Sequence, residues 1–243
     1  MKNVVVVALL AVIGILQTVS AQHQSKPPFD GTKLRPLTAV YSTYIPAADT
    51  TQADRTISST LALEEAELDG DAVWRLDVSG FAHDVDIWDR RTLAAIERTI
   101  TYPGATRFLD HREGGVKLIV TGNNPDSLVV ASDKPIVSDG MLNYFALGTL
   151  PLRKGYVERY ASFVSRKKAV LDHRLEVIGD STLTVQAGSF DVYVVTEHLE
   201  DGEEEDAYPT WYVMQSEPRL VAKLEAPLPN GVTATIELQS VAE

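Results

Sequence analysis

The chain has 243 residues, of which 22 are basic and 34 acidic, for a formal net charge of −12, and it contains no cysteine. The missing thiols exclude disulfides, thiolate metal ligation, thiol catalysis and a lipid-modified N-terminal cysteine. The acidic balance argues against nucleic-acid binding and against a basic tether to anionic membranes.

Met1-Lys2-Asn3 precede an apolar run from Val4 to Leu16, and Gln17-Thr18 then lead to Val19-Ser20-Ala21. A charged start, an apolar middle and a small-residue end predict a secretory signal over residues 1–21, cut after Ala21. An uncut anchor is the alternative, but the run is short against the roughly 20 residues that span a bilayer. No later stretch approaches that length, so the cleaved chain is expected to lack an integral membrane segment. The expected address is periplasmic or extracellular.

Residues 22–36 contain Pro27-Pro28 and Asp30-Gly31 and little to bury. They predict an extended, partly mobile arm. Residues 37–243 read as one β-rich domain. Asp69-Gly70, Gly114-Gly115, Asp201-Gly202 and Asn230-Gly231 are hairpin-type dipeptides, because these residues accept positive φ. Leu61–Leu68 is rich in Ala and Glu but sits between strand-like neighbours, and is read as a strand. Period-two alternation places Trp74, Leu76 and Val78 on one strand face. It does the same for Phe190, Val192 and Val194, and for Ala234, Ile236 and Leu238. A strand is expected through the whole stretch Thr92–Tyr102. Ser138–Thr149 is the best helix, with Leu142, Phe145 and Ala146 at helical spacing and Pro151 as its stop.

Several motifs run in a fixed order. They are Asp89-Arg90-Arg91-Thr92-Leu93, Leu150-Pro151-Leu152-Arg153-Lys154-Gly155, Leu183 to Val192 around Ala187-Gly188-Ser189-Phe190, Thr210-Trp211-Tyr212-Val213, and Pro218-Arg219-Leu220-Val221. In order and spacing the chain resembles the exported bacterial family called domain of unknown function 3108. Gln215-Ser216-Glu217-Pro218 departs from that family's pattern, in a loop only. The resemblance implies a mainly β fold: a curved antiparallel sheet, or incomplete β-barrel like that of periplasmic lipoprotein carriers, with one or two short helices. It implies no activity.

No catalytic residue is predicted. The five histidines show no zinc-type spacing. In His83-Asp84-Val85-Asp86 the two aspartates share a face, and a metal there would need further ligands; the simpler reading is a solvent-facing strand surface. The carboxylates of 200–206 read as a solvated hairpin tip. No nucleophile elbow, phosphate loop or dinucleotide fingerprint occurs. No metal or cofactor is therefore expected, and a hydrolytic enzyme is the least expected class. The leading expectation is an envelope protein that binds a hydrophobic or amphipathic small molecule, such as a lipid, in the concave sheet. Its cavity wall would be Trp74, Trp88, Tyr144, Phe145 and Trp211, with the Ser138–Thr149 helix as a lid. The alternative is an interaction or structural module that meets other envelope proteins.

Overall fold

The computed structural model describes residues 28–48, 51, 53–112, 114–137, 143–165, 167–200, 208–228 and 231–242. The expected signal segment, the expected Asp201-Gly202 turn and the first five residues of the expected helix lie outside them. The strands are β1 (Leu37–Ile45), β2 (Arg55–Leu68), β3 (Asp71–Ser79), β4 (His83–Asp89), β5 (Ala95–Tyr102), β6 (Ala105–Asp110), β7 (Gly115–Gly122), β8 (Asp126–Ala131), β9 (Ile136–Val137), β10 (Val157–Val164), β11 (Ala169–Val185), β12 (Gly188–Leu199), β13 (Thr210–Met214), β14 (Val221–Pro227) and β15 (Thr233–Ala242). They form one sheet in the order β8 back to β1, then β15 back to β9. Every pairing is antiparallel except the short β9–β10 contact.

The sheet is curved and not closed, as the family resemblance implies. Its two ends overlap. Cross-strand partners share a face, and Asp86, Arg98, Leu109, Leu118 and Leu128 form one row across β4–β8. That row lies on the same face as the buried Trp74 and Trp88. At the other end Tyr160 and Ser162 face this common core, while Ala161 and Phe163 face away from it. Yet Phe163 and Ile136 are buried, packed with Leu109, Val116 and Leu118. The inner face of β6–β8 therefore lies on the outer face of β9–β10, so the sheet is rolled like a scroll. Ion pairs from Lys168 to Asp126 and from Lys134 to Asp172 cross the overlap at its solvent edge.

Local rules account for the joints. Asp69 and Gly70, at φ 54° and 92°, make the two-residue turn between β2 and β3. Leu61–Leu68 is strand, because Leu61 and Leu63 fill the core and tertiary burial outweighs the helical bias of Ala and Glu. Trp74, Leu76 and Val78 are all buried, as are Ala234, Ile236 and Leu238. Phe190, Val192 and Val194 alternate along β12 as expected, but only Val192 among them is fully buried. A bulge at Ile178 breaks the β11–β12 register, and opposite it the buried positions on β12 are Val192 and Val195, while Val194 is only half-buried.

Strand β5 begins at Ala95, not Thr92. Asp89 explains this: one carboxylate oxygen accepts from the backbone of Arg91 (3.1 Å) and Thr92 (2.7 Å) and from the Thr92 hydroxyl (2.6 Å). The resulting turn holds Leu93 at φ 56° with its side chain fully buried. The Asp-x-x-Thr-Leu motif is thus a turn built by one side chain.

The leader is also less free than its composition predicts. Phe29 is buried, edge-on to Tyr160. Gly31, which opens a 3₁₀ turn (Gly31–Lys33), donates to the Arg91 carbonyl at 3.0 Å. A Cβ there would lie 2.2 Å from the Arg90 carbonyl oxygen, so only glycine allows this approach. Of the expected Ser138–Thr149 helix, the described part is one α turn, α1 (Asn143–Ala146), followed by a 3₁₀ turn (Leu147–Thr149). All seven residues are buried. This piece fills the interior of the scroll and does not form a lid over it.

Candidate functional site

The five aromatic residues proposed as a cavity wall are all buried in the main core. Trp74 Nε1 donates to the Gly31 (3.0 Å) and Arg90 (3.1 Å) carbonyls, tying the leader to the Asp89 turn. Tyr144 stands edge-on to both Tyr41 and Trp211, with ring centroids 4.7 and 5.7 Å apart. Trp74 and Phe145 each border a surface groove; Trp88, Tyr144 and Trp211 border neither of these two.

The two grooves flank the docked leader and share Leu34. One, of about 440 Å³, lies between Thr32, Trp74 and the turn residues Asp89–Arg91. The other, of about 250 Å³, is walled by Leu34, Leu37, Phe145 and Leu220 and rimmed by Lys33, Arg35, Arg219 and Glu217. Two of its cations are held in place. Lys33 Nζ donates to the Thr149 carbonyl at 2.7 Å. Arg219 Nη1 donates to the Leu150 carbonyl at 3.1 Å, and the guanidinium lies 5.9 Å from the Tyr193 ring. The buried Arg219 Nε has no acceptor among the described residues. Gly148 forms the floor, where a Cβ would meet the Arg219 carbonyl oxygen at 1.7 Å. Three cations to one carboxylate make this rim positive on a chain of net charge −12.

A second polar cluster lies within the core, on the common face of β10, β11 and β12. Ser162 Oγ is 2.8 Å from His173 Nε2, and His173 Nδ1 is 2.8 Å from Glu197 Oε1. The Tyr160 hydroxyl donates to the same Glu197 oxygen, and Trp211 Nε1 donates to Oε2 at 3.0 Å. The His173 ring is stacked on Tyr160, with centroids 4.9 Å apart and planes at 17°. Burial pushes the Glu197 carboxyl up, but hydrogen bonds from His173, Tyr160 and Trp211 outweigh it and hold the group below the ordinary carboxylate range.

The third cluster corrects the reading of His83–Asp86. Asp84 and Asp86 face the interior, not solvent. Arg98, also buried, grips Asp84 through Nη2 at 2.6 Å and Nε at 3.1 Å, with Asp86 4.0 Å away. Burial and the nearby Arg98 charge push His111 down to about 4. No group of three or more metal-ligating side chains occurs among the described residues.

Sequence reasoning did not find the Ser162–His173–Glu197 set, because its members stand 11 and 24 residues apart in no local motif. The available signal was polar residues at inward positions: Ser162 two places from Tyr160, and Glu197 two from Val195, on otherwise apolar strand faces.

Two solved structures bear a distant likeness to this one. A β-barrel-like protein of domain of unknown function DUF1849 from Brucella abortus is 10% identical, with 86% of this chain and 97% of that chain covered, at a TM-score of 0.47. A protein from Parabacteroides distasonis ATCC 8503, described as a putative lipoprotein, is 11% identical, with 86% and 96% covered, at a TM-score of 0.32. No curated protein matches the chain in sequence. Residues 38–239, nearly the whole β-domain, match the family "Protein of unknown function (DUF3108)", and the chain belongs to that family.

Proposed function

We propose that this is an exported cell-envelope protein that binds an amphipathic anion, a carboxylate or phosphate on an apolar stem, in the groove between Lys33 and Arg219. The observation that carries this reading is the pairing of Arg219, Lys33 and Arg35 with the apolar wall of Leu34, Leu37, Phe145 and Leu220. Recognition of such a ligand needs a fixed cation beside a surface that gains from losing water. Arg219 is fixed by Leu150 and Tyr193 and has a donor to spare. A volume of about 250 Å³ is at the small end for ligand sites, so it accepts a head group and the first part of a stem. Residues 1–21 supply the export signal, and no described helix is long and apolar enough to cross a membrane.

Native mass spectrometry of the purified protein with dodecanoate and with dodecyl phosphate tests this. One bound anion per chain, lost in Arg219→Ala and retained in a surface control such as Lys117→Ala, supports the reading. Absence of either complex at millimolar ligand overturns it. An interaction module is the second reading, favoured by β8, which among the described strands pairs only with β7 and exposes Val129 at 73%.

A further inference from the structure

Ser162, His173 and Glu197 descend diagonally across three neighbouring strands. The register pairs Tyr160 with His173 and Leu175 with Glu197. All three side chains therefore project from one face, each offset by two residues from its neighbour's partner. We propose that they form a nucleophilic serine site that hydrolyses carboxylic esters.

The hydrogen bonds set the direction of the relay. Glu197 is a carboxylate and can only accept, so His173 Nδ1 is the donor to Oε1. The neutral imidazole then has its lone pair on Nε2, and the Ser162 hydroxyl donates to it across 2.8 Å. A hydroxyl hydrogen-bonded to a base that a third, ionised group orients is the arrangement that activates serine. The other contacts hold the base still. Trp211 and Tyr160 pin the Glu197 carboxylate from both oxygens, and Tyr160 also carries the His173 ring on its face. Packing alone gives no reason for the set. An apolar trio would fill the same space without the cost of burying a charge, and buried charges with specific partners concentrate at functional sites.

The burial gradient describes the substrate. The His173 side chain keeps 12% exposure and that of Glu197 9%, whereas Ser162 keeps 1%. The site meets solvent at the imidazole, and the hydroxyl lies behind it. Hydrolysis at Ser162 therefore requires a slim, unbranched acyl group that passes beside the imidazole.

The chemistry balances with water as the only co-reactant. Ser162 Oγ attacks the ester carbonyl carbon while its proton passes to His173 Nε2. The bond between that carbon and the alkoxy oxygen breaks, and the alcohol departs with the same proton. Water then attacks the acyl-serine, gives a proton to His173 and releases the acid as Ser162 recovers its proton. Ser162 and His173 are the catalytic residues. Glu197 acts through His173 and is a positioning residue. The site shares no residue with the anion groove, so the two readings stand or fall separately.

The test uses the purified protein with p-nitrophenyl acetate and, separately, the slim serine reagent methanesulfonyl fluoride. The expected result is ester turnover that falls at least 100-fold in Ser162→Ala, together with a single methanesulfonylated peptide containing Ser162. Glu197→Gln should lower kcat, counted per folded chain from urea unfolding of the same preparation, roughly 100-fold or more with little change in KM, and Glu197→Asp should restore part of it. The Ser162→Ala change removes one hydroxyl and keeps the fold, so it decides the matter even if the Glu197 variants fail to fold. Because the chain has no cysteine, Ser162→Cys introduces a single thiol, whose alkylation by iodoacetamide should be slowed at least tenfold by His173→Gln. Undiminished hydrolysis by Ser162→Ala, an adduct on another residue, or neither adduct nor turnover in the folded wild type overturns the proposal.

Discussion

Trp211 Nε1 lies 3.0 Å from Glu197 Oε2 and supplies that oxygen with its donor inside the core. Replacing Trp211 by Phe keeps most of the packing and removes the bond, leaving part of a buried charge unmet. The expected loss at pH 7 is about 2 kcal/mol. Glu197 sits below its ordinary value of 4.5 in the folded chain, so its contribution is present above that value and disappears as pH falls through the folded one. Urea unfolding at several pH values should show the Trp211→Phe deficit shrinking in acid.

His111 gives a second pH dependence, in a higher window. The unfolded imidazole takes up a proton near pH 6.5, whereas in the folded chain burial and Arg98 delay this to about 4. The folded state is therefore favoured fully above pH 6.5 and loses support as pH drops toward 4, by about 3 kcal/mol from this group. Neither ring nitrogen has a hydrogen-bond partner among the described residues. His111→Leu should fold and should flatten the stability profile between those two pH values, as measured by urea midpoints.

The Asp89 turn can be broken by one atom group. Asp89→Ala removes the acceptor for Arg91, Thr92 and the Thr92 hydroxyl, with an expected cost of about 2 kcal/mol. Asp89→Asn keeps an acceptor oxygen and should cost less. Because Gly31 bonds to the Arg91 carbonyl, amide hydrogen exchange at Gly31 should quicken in Asp89→Ala more than exchange in β12 does.

The anion groove predicts a separation of binding from stability. Arg35 is exposed and sits on the rim. Arg35→Glu should weaken dodecanoate binding by about tenfold at low salt and move the urea midpoint little, since a solvated charge contributes little to folding. Isothermal titration and urea unfolding on the same preparation check both halves.

Much of the fold can be read from residue order. Alternation identifies β3 and β15, the Asp69-Gly70 pair identifies its hairpin, and the family motifs identify a curved open sheet. What alternation does not carry is which face is covered twice. Phe163 and Ser162 are adjacent and both buried, one against each layer of the overlap, and period-two reasoning assigns only one of them to a core. The same limit made Asp84 and Asp86 look solvent-facing, because their partner Arg98 is reached only by cross-strand pairing. Val194 shares the parity of the buried Val192 and yet is only half-buried, so alternation does not carry how far a face is covered either. The polar cluster depends on three such pairings at once, whereas Trp74 and Phe145 were visible as large apolar residues before their neighbours were known.

The scroll has one further consequence. β1 and β15 carry the two ends of the described β-domain, yet Thr38 pairs with Ala242 in the middle of the sheet. The sheet's free edges fall instead at β8 and β9, joined by the short connection from Ser132 to Pro135. A circularly permuted chain, opened in that connection and spliced across β1 and β15, would turn the most distant pairing into a hairpin and make every antiparallel pair a neighbour in sequence. Since loop closure between distant segments slows folding, the natural order of the strands delays completion of the sheet until its last strand is available, and the permuted order would not.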